Sequence, residues 1–329
     1  MGTAETQHPV GRAGGAERQR SRHPSAPLPE VGPTVATGPR VALGETGLSA
    51  FPFALGTAEF ARLSDAREAT AILDRYAQAG GNAIHVSDRD PDIASLVGDW
   101  IRARRVRDDV VIVARIASSR GSDFARGAAE LARTMGVDRL DVAVIDVSAR
   151  LHGARHLEQT LADAEGLVRR GAIRALGAHG LGATELLEAR VLASGGYPRI
   201  HVLDVPYGLG DRDGYESDLL RIALPQRLAV MPVHAVPRGI LLARPGDAAP
   251  RAASLFSWRG RLARALAAVA REAGLAPAAT ALAWVRAQPG VAAPVVDAFA
   301  AHQIDALAPA ATAELTRQHA ARLDRAGAR

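Results

Sequence analysis

Leu140-Asp141-Val142-Ala143-Val144-Ile145-Asp146, then a helical stretch over about 156–170, then Ile173-Arg174-Ala175-Leu176-Gly177: this segment decides the architecture. Both apolar runs are short and almost uninterrupted by polar residues. Such runs belong to strands covered on both faces, and two of them joined by a helix read as parallel neighbours.

The same alternation extends in both directions. Upstream lie Phe53-Ala54-Leu55-Gly56 and a helix over about Asp65–Ala79, with Ser64 as its expected cap. Asn82-Ala83-Ile84-His85-Val86 and Val110-Val111-Ile112-Val113-Ala114-Arg115 follow as strands. Downstream come Ile200-His201-Val202-Leu203-Asp204, Leu228-Ala229-Val230-Met231-Pro232-Val233 and Val295-Val296, with helical stretches over about 183–193 and 259–273. Eight strand–helix units in about 290 residues predict a (β/α)8 TIM barrel. The competing doubly wound sheet lacks its fingerprint. No Gly-x-Gly-x-x-Gly follows the first strand; Gly177-Ala178-His179-Gly180-Leu181-Gly182 has the wrong spacing, and Gly208-Leu209-Gly210 comes late. Residues 1–38, rich in Gly, Pro, Ala and Arg without periodicity, are expected to be a disordered tail before a barrel over 39–329. Arg18, Arg20 and Arg22 read as a solvated cluster in that tail.

Composition removes whole classes of chemistry. The 329 residues contain neither lysine nor cysteine, so all 40 basic residues are arginine. Schiff-base chemistry, thiol catalysis, thiolate metal binding and a P-loop are excluded. A net charge of +5, with no basic stripe interleaved with aromatics, speaks against a nucleic-acid partner. No apolar run approaches the ~20 residues of a membrane span and no apolar leader opens the chain, so a cytoplasmic protein is expected.

Leu43-Gly44-Glu45-Thr46-Gly47-Leu48-Ser49 followed by Leu55-Gly56-Thr57-Ala58 resembles the opening of the bacterial aldo-keto reductases. Ala79-Gly80-Gly81-Asn82-Ala83-Ile84, Val97-Gly98 and Arg107-Asp108-Asp109-Val110-Val111-Ile112 are similar to later segments of that family, as is Gly136-Val137-Asp138-Arg139-Leu140-Asp141-Val142. Leu167-Val168-Arg169-Arg170-Gly171-Ala172-Ile173-Arg174-Ala175-Leu176-Gly177 closely resembles the family's fifth-strand region. Val205-Pro206-Tyr207, Arg238-Gly239-Ile240-Leu241 and Ala281-Leu282-Ala283-Trp284-Val285 complete a series over about residues 40–325.

The resemblance implies a short hairpin, then a (β/α)8 barrel, and NADPH-dependent carbonyl reduction by an Asp/Tyr/Lys/His tetrad. This chain departs from that pattern at every tetrad position. His85 stands for the Asp, Arg115 for the Lys, Asp146 for the His and Asp90 for the Tyr. No tyrosine lies between Tyr76 and Tyr197. Arginine is a poor proton relay because it does not deprotonate. By the same resemblance the NADP(H) contacts fall on His179, Asp204, Tyr207, Arg238 and Gln303. Val233 holds the place of the stacking aromatic, and Asp297-Ala298-Phe299-Ala300 the place of a phosphate loop. A carboxylate beside amides meant for a phosphate is electrostatically wrong.

In such a barrel His85, Arg115, Asp146, His179, Asp204, His234 and Asp297 would end strands at the mouth. Without compact spacing such as His-x-x-x-His, ion pairing is expected rather than a metal, with Arg115–Asp146 the leading pair. His85 is the candidate acid, with Asp90 or Asp146 setting its titration. His201 is expected to pack against helices, and His152 and His156 to be solvated. Trp100, Trp258 and Trp284 should pack helices, and Tyr207 either stacks on a ligand or joins the core.

Three functions follow as expectations. The first is a family member that is not a standard NADPH carbonyl reductase, either a non-catalytic barrel that binds a small molecule in its mouth or a protein partner, or one with altered chemistry. The second is an NADP(H)-dependent oxidoreductase of a small carbonyl substrate using substituted residues. The third is a His/Asp acid–base lyase, isomerase or cyclase, with His85 and Asp146 as its pair.

Overall fold

In a computed structural model, residues 34–117, 124–148, 155–236 and 257–328 are described. The tail expected over 1–38 falls outside them up to position 33, as do Arg18, Arg20 and Arg22. From Thr34 the chain lies against the barrel: Val35 packs on the core and the Ala36 amide donates to the Ala77 carbonyl at 2.9 Å.

A two-stranded antiparallel hairpin comes first, β1 (Val41–Ala42) and β2 (Ser49–Ala50). Eight parallel strands follow: β3 (Ala54–Gly56), β4 (Ala83–Ser87), β5 (Val111–Ala117), β6 (Leu140–Asp146), β7 (Ile173–His179), β8 (Ile200–Pro206), β9 (Ala229–Val233) and β10 (Val295–Asp297). Each pairs with the next in sequence, and β10 returns to pair with β3. The last gap is bridged just before β10, where Val230 donates to Gly290 O at 2.9 Å and Ala292 donates to Val230 O at 2.8 Å. The expected (β/α)8 barrel is therefore the observed fold.

The helices are α1 (Ala66–Gln78), α2 (Pro91–Arg104), α3 (Phe124–Met135), α4 (Arg155–Arg169), α5 (Ala183–Ser194), α6 (Asp213–Glu216), α7 (Asp218–Ala223), α8 (Trp258–Ala273), α9 (Pro277–Arg286), α10 (Ala301–Leu307) and α11 (Arg317–Gly327). Helix α1 shows the local logic. Ala69, Ile72, Leu73, Tyr76 and Ala77 recur at helical spacing and are the buried face. Its cap is Asp65, not the expected Ser64: the Asp65 carboxylate accepts from the Arg67 amide at 2.8 Å, while Ser64 turns to Glu68. None of the helices among the described residues is long and apolar enough to cross a membrane.

Two apolar layers result. The larger lies between strands and helices. The smaller fills the barrel: Ala54, Ala83, Val111, Val142, Ala175, Val202 and Ala229 point inward, with Leu43 and Leu48 of the hairpin packed on them. Side chains alternate along a strand, so inward parity carries on to His85, Arg115, Asp146, His179, Asp204 and Asp297 at the opposite end.

Candidate functional site at the barrel mouth

β4 and β8 are four steps apart in a ring of eight strands, hence on opposite walls. Their side chains nevertheless meet. His85 Nε2 lies 3.2 Å from Asp204 Oδ2, and His179 Nδ1 on neighbouring β7 lies 3.5 Å from the same oxygen. All three residues are buried, and the Asp204 side chain is 1% exposed. Burial pushes the Asp204 carboxyl up, but the charge and hydrogen bond of His85, with the His179 imidazole close by, outweigh it, holding the group well below the usual carboxylate range. An ionised Asp204 can only accept, so His85 carries its proton on Nε2 and donates it. Asp204 Oδ1 is buried and has no hydrogen-bond partner.

The partner of His85 therefore differs from both expected candidates. Asp90 ends the strand–helix turn at the start of α2 and lines a groove of about 940 Å³ between α1 and α2, with Phe60, Leu63, Ile93 and Trp100. Its carboxylate makes no ion pair or side-chain hydrogen bond among the described residues. Asp146 is already engaged. Its Oδ2 accepts from Arg115 Nε at 2.9 Å and Arg89 Nη2 at 3.1 Å, and its Oδ1 from the Ser148 amide at 3.0 Å and hydroxyl at 2.6 Å. Burial raises the Asp146 carboxyl, and the Ser148 bonds with the Arg115 charge more than offset that, leaving it below its ordinary value. The expected Arg115–Asp146 pair is present.

Arg89, Ser148 and Asp88 complete this cluster and escaped the sequence reading. Asp88 accepts from the Ala117 amide at 2.9 Å, and its carboxyl is raised, chiefly by burial. These residues sit just beyond strand ends, where inward parity no longer applies, so no periodic signal marks them. On the other side of the mouth, burial raises the Asp297 carboxyl against the opposing charges of His234 and His85. A Cβ at Gly56 would run into that carboxylate, which would have to move to make room for it.

Most residues assigned to a cofactor by resemblance lie elsewhere or are occupied. His179 and Asp204 belong to the cluster just described. Tyr207 is in the outer core, 1% exposed, edge-on to Tyr215 at 4.9 Å, with its hydroxyl donating to Glu216 at 2.7 Å. It is a packing residue because the chain has left the barrel wall by that point. Gln303 folds back onto its own helix start, its Oε1 accepting from the Phe299 amide at 2.7 Å and the Ala300 amide at 3.2 Å. Arg238 and His152 lie outside the described residues, as does the side chain of His156. His201 is half-buried, and burial together with Arg199 lowers its titration. Trp100 and Trp284 pack between helices, with their indole N–H groups on Asp74 and Asp324 at 2.8 and 2.9 Å; Trp258 packs against the outer core. Among the described residues no group of three or more His, Asp or Glu side chains is arranged to hold a metal ion.

The four tyrosine hydroxyls are committed away from the mouth. Tyr76 donates to Phe53 O at 2.7 Å, Tyr215 to Pro289 O at 2.7 Å, and Tyr197 to Glu158 at 2.8 Å, beside Tyr207 on Glu216. Burial raises the Tyr215 phenol to about 12 and pushes Tyr76 and Tyr207 higher still.

The barrel is similar to the crystal structure of an aldo-keto reductase from Klebsiella pneumoniae in complex with NADPH, with a TM-score of 0.68 and 21% sequence identity, covering 87% of this chain and 94% of that one. At that identity the likeness speaks for the fold. Residues 52–328 match the model of the aldo/keto reductase family. That match takes in every barrel strand, and the chain belongs to the aldo/keto reductase family.

Proposed function

We propose that this family member is not a standard NADPH-dependent carbonyl reductase, and that its mouth serves ligand binding or proton chemistry instead. The observation that carries the reading is the fate of the phenols. Carbonyl reduction by the family's tetrad needs a tyrosine hydroxyl beside the substrate oxygen, and all four tyrosine hydroxyls here are bonded to other groups. The lysine that would ease proton release is replaced by Arg115, whose guanidinium stays charged and is tied to Asp146.

The residues available to NADP(H) fit it poorly. Gln303 takes up the Phe299 and Ala300 amides that a phosphate would need, and the Asp297 carboxylate stands at the end of β10 close by. The test is titration of the purified protein with NADPH, by fluorescence and calorimetry at low salt, alongside an assay for aldehyde-dependent NADPH oxidation. Neither saturable binding up to millimolar cofactor nor turnover is expected. Micromolar affinity with turnover would overturn the reading and restore the oxidoreductase.

A further inference from the structure

Both imidazoles at the mouth share one carboxylate oxygen and keep one ring nitrogen in reserve. His85 uses Nε2 toward Asp204, leaving Nδ1; His179 turns Nδ1 toward it, leaving Nε2. Those reserve nitrogens have no hydrogen-bond partner among the described residues, and neither is sealed from solvent as His179 Nδ1 is. A buried anion behind an imidazole holds its proton on the near nitrogen and directs the lone pair of the far one outward.

Arg115 adds an anchor. Only its Nε is engaged, on Asp146; its terminal nitrogens have no partner among the described residues, and the side chain is 21% exposed. That planar pair of N–H groups matches a carboxylate. The strand register joins anchor to imidazoles, because Asp146 is opposite His179 and His179 is opposite Asp204. The other charged groups facing this space are Asp88 and Arg89 beyond β4, His234 beyond β9 and Asp297 on β10.

We infer that the mouth is a proton-transfer site for a small 2-oxo acid, with Arg115 holding the carboxylate and His85 and His179 exchanging a proton at C3. The inference rests on the reading that hydride transfer is not the chemistry of this mouth. The C3–H bond breaks as a reserve nitrogen takes the proton. Its electron pair forms the C2–C3 double bond, and the carbonyl π electrons move to oxygen. Return of a proton to C3 from an imidazolium reverses each change, so no oxidant or reductant is needed. Asp204 is a positioning residue.

The test incubates the full-length protein with 2-oxobutyrate in D2O, without nucleotide, and follows loss of the C3 proton signal by NMR. Exchange above the buffer rate is expected, falling roughly a hundredfold in His85→Gln and in His179→Gln. Arg115→Gln should raise the half-saturating concentration about tenfold while leaving the limiting rate within a few-fold. Asp204→Asn should lower the limiting rate about tenfold while leaving the half-saturating concentration within a few-fold, as a residue that positions the imidazoles without touching the substrate would. Circular dichroism checks each fold; if His85→Gln does not fold, His179→Gln and Arg115→Gln decide. Wild-type exchange equal to buffer, or unchanged exchange in the folded histidine variants, overturns the inference. NADPH oxidation by the same 2-oxo acid would instead overturn the non-reductase reading, so the two failures are distinguishable.

Discussion

His85 on β4 and Asp204 on β8 stand on opposite walls of the barrel, and their side chains meet across its axis at 3.2 Å. The contact converts two strand ends into a strut, and it does so with groups that titrate.

That strut has an energetic signature. His85→Ala or Asp204→Ala should each cost about 1–3 kcal/mol, the range for leaving one buried partner unsatisfied. The double variant should cost less than the sum of the singles, by about 0.5–3 kcal/mol. Urea unfolding of the four proteins checks this; additivity would mean the pair is not coupled.

Stability should depend on acid with a definite sign. Asp146 and Asp204 titrate lower in the folded protein than unfolded, so they stabilise it above the unfolded carboxylate value of ~3.9, and that contribution is lost as pH falls through their folded values. The urea midpoint should fall below about pH 4, and Asp146→Asn should flatten the fall.

Asp297 has the opposite sign. Its raised folded value means its contribution is complete below ~3.9 and is lost as pH rises through the folded value. Asp297→Asn should therefore gain stability relative to wild type at neutral pH and not at pH 3, as measured by thermal unfolding at both.

Gln303 caps the start of its own helix. Gln303→Ala should destabilise by about 0.5–2 kcal/mol, the usual cost of an N-terminal cap, by freeing the Phe299 and Ala300 amides. A cofactor-binding role would instead show in affinity with little change in thermal midpoint.

Two glycines offer a paired packing test. A Cβ at Gly98 in α2 would run into the backbone of Met135 at the end of α3, so Gly98→Ala should cost about 1–3 kcal/mol or more. Gly214 in α6 has nothing within 4 Å, so Gly214→Ala should gain about 0.5–1 kcal/mol. Melting temperatures of the two variants should move in opposite directions.

The barrel was legible in the chain because its signals are local. Leu140–Asp146 and Ile173–Gly177 announce buried strands through hydrophobicity alone, and inward parity places His85, Arg115, Asp146, His179, Asp204 and Asp297 at one end. The Arg115–Asp146 pair was legible for the same reason, since neighbouring strands bring their ends together. Helix caps were less so: Ser64 and Asp65 are both good caps, and only backbone geometry selects Asp65.

By itself the sequence determined the repeating strand–helix order and the charges that gather at the mouth, together with the absence of lysine and of any tyrosine between Tyr76 and Tyr197. Those follow from residue type and spacing along the chain. Which charge meets which was decided by tertiary structure. Asp204 lies 119 residues from His85, and no local pattern links them; ring closure does, by placing β8 opposite β4. Tyr207 and Gln303 turned away from the mouth for the same kind of reason. Glu216 and the amides of Phe299 and Ala300 offered each a closer hydrogen bond, and a buried polar group takes the partner within reach.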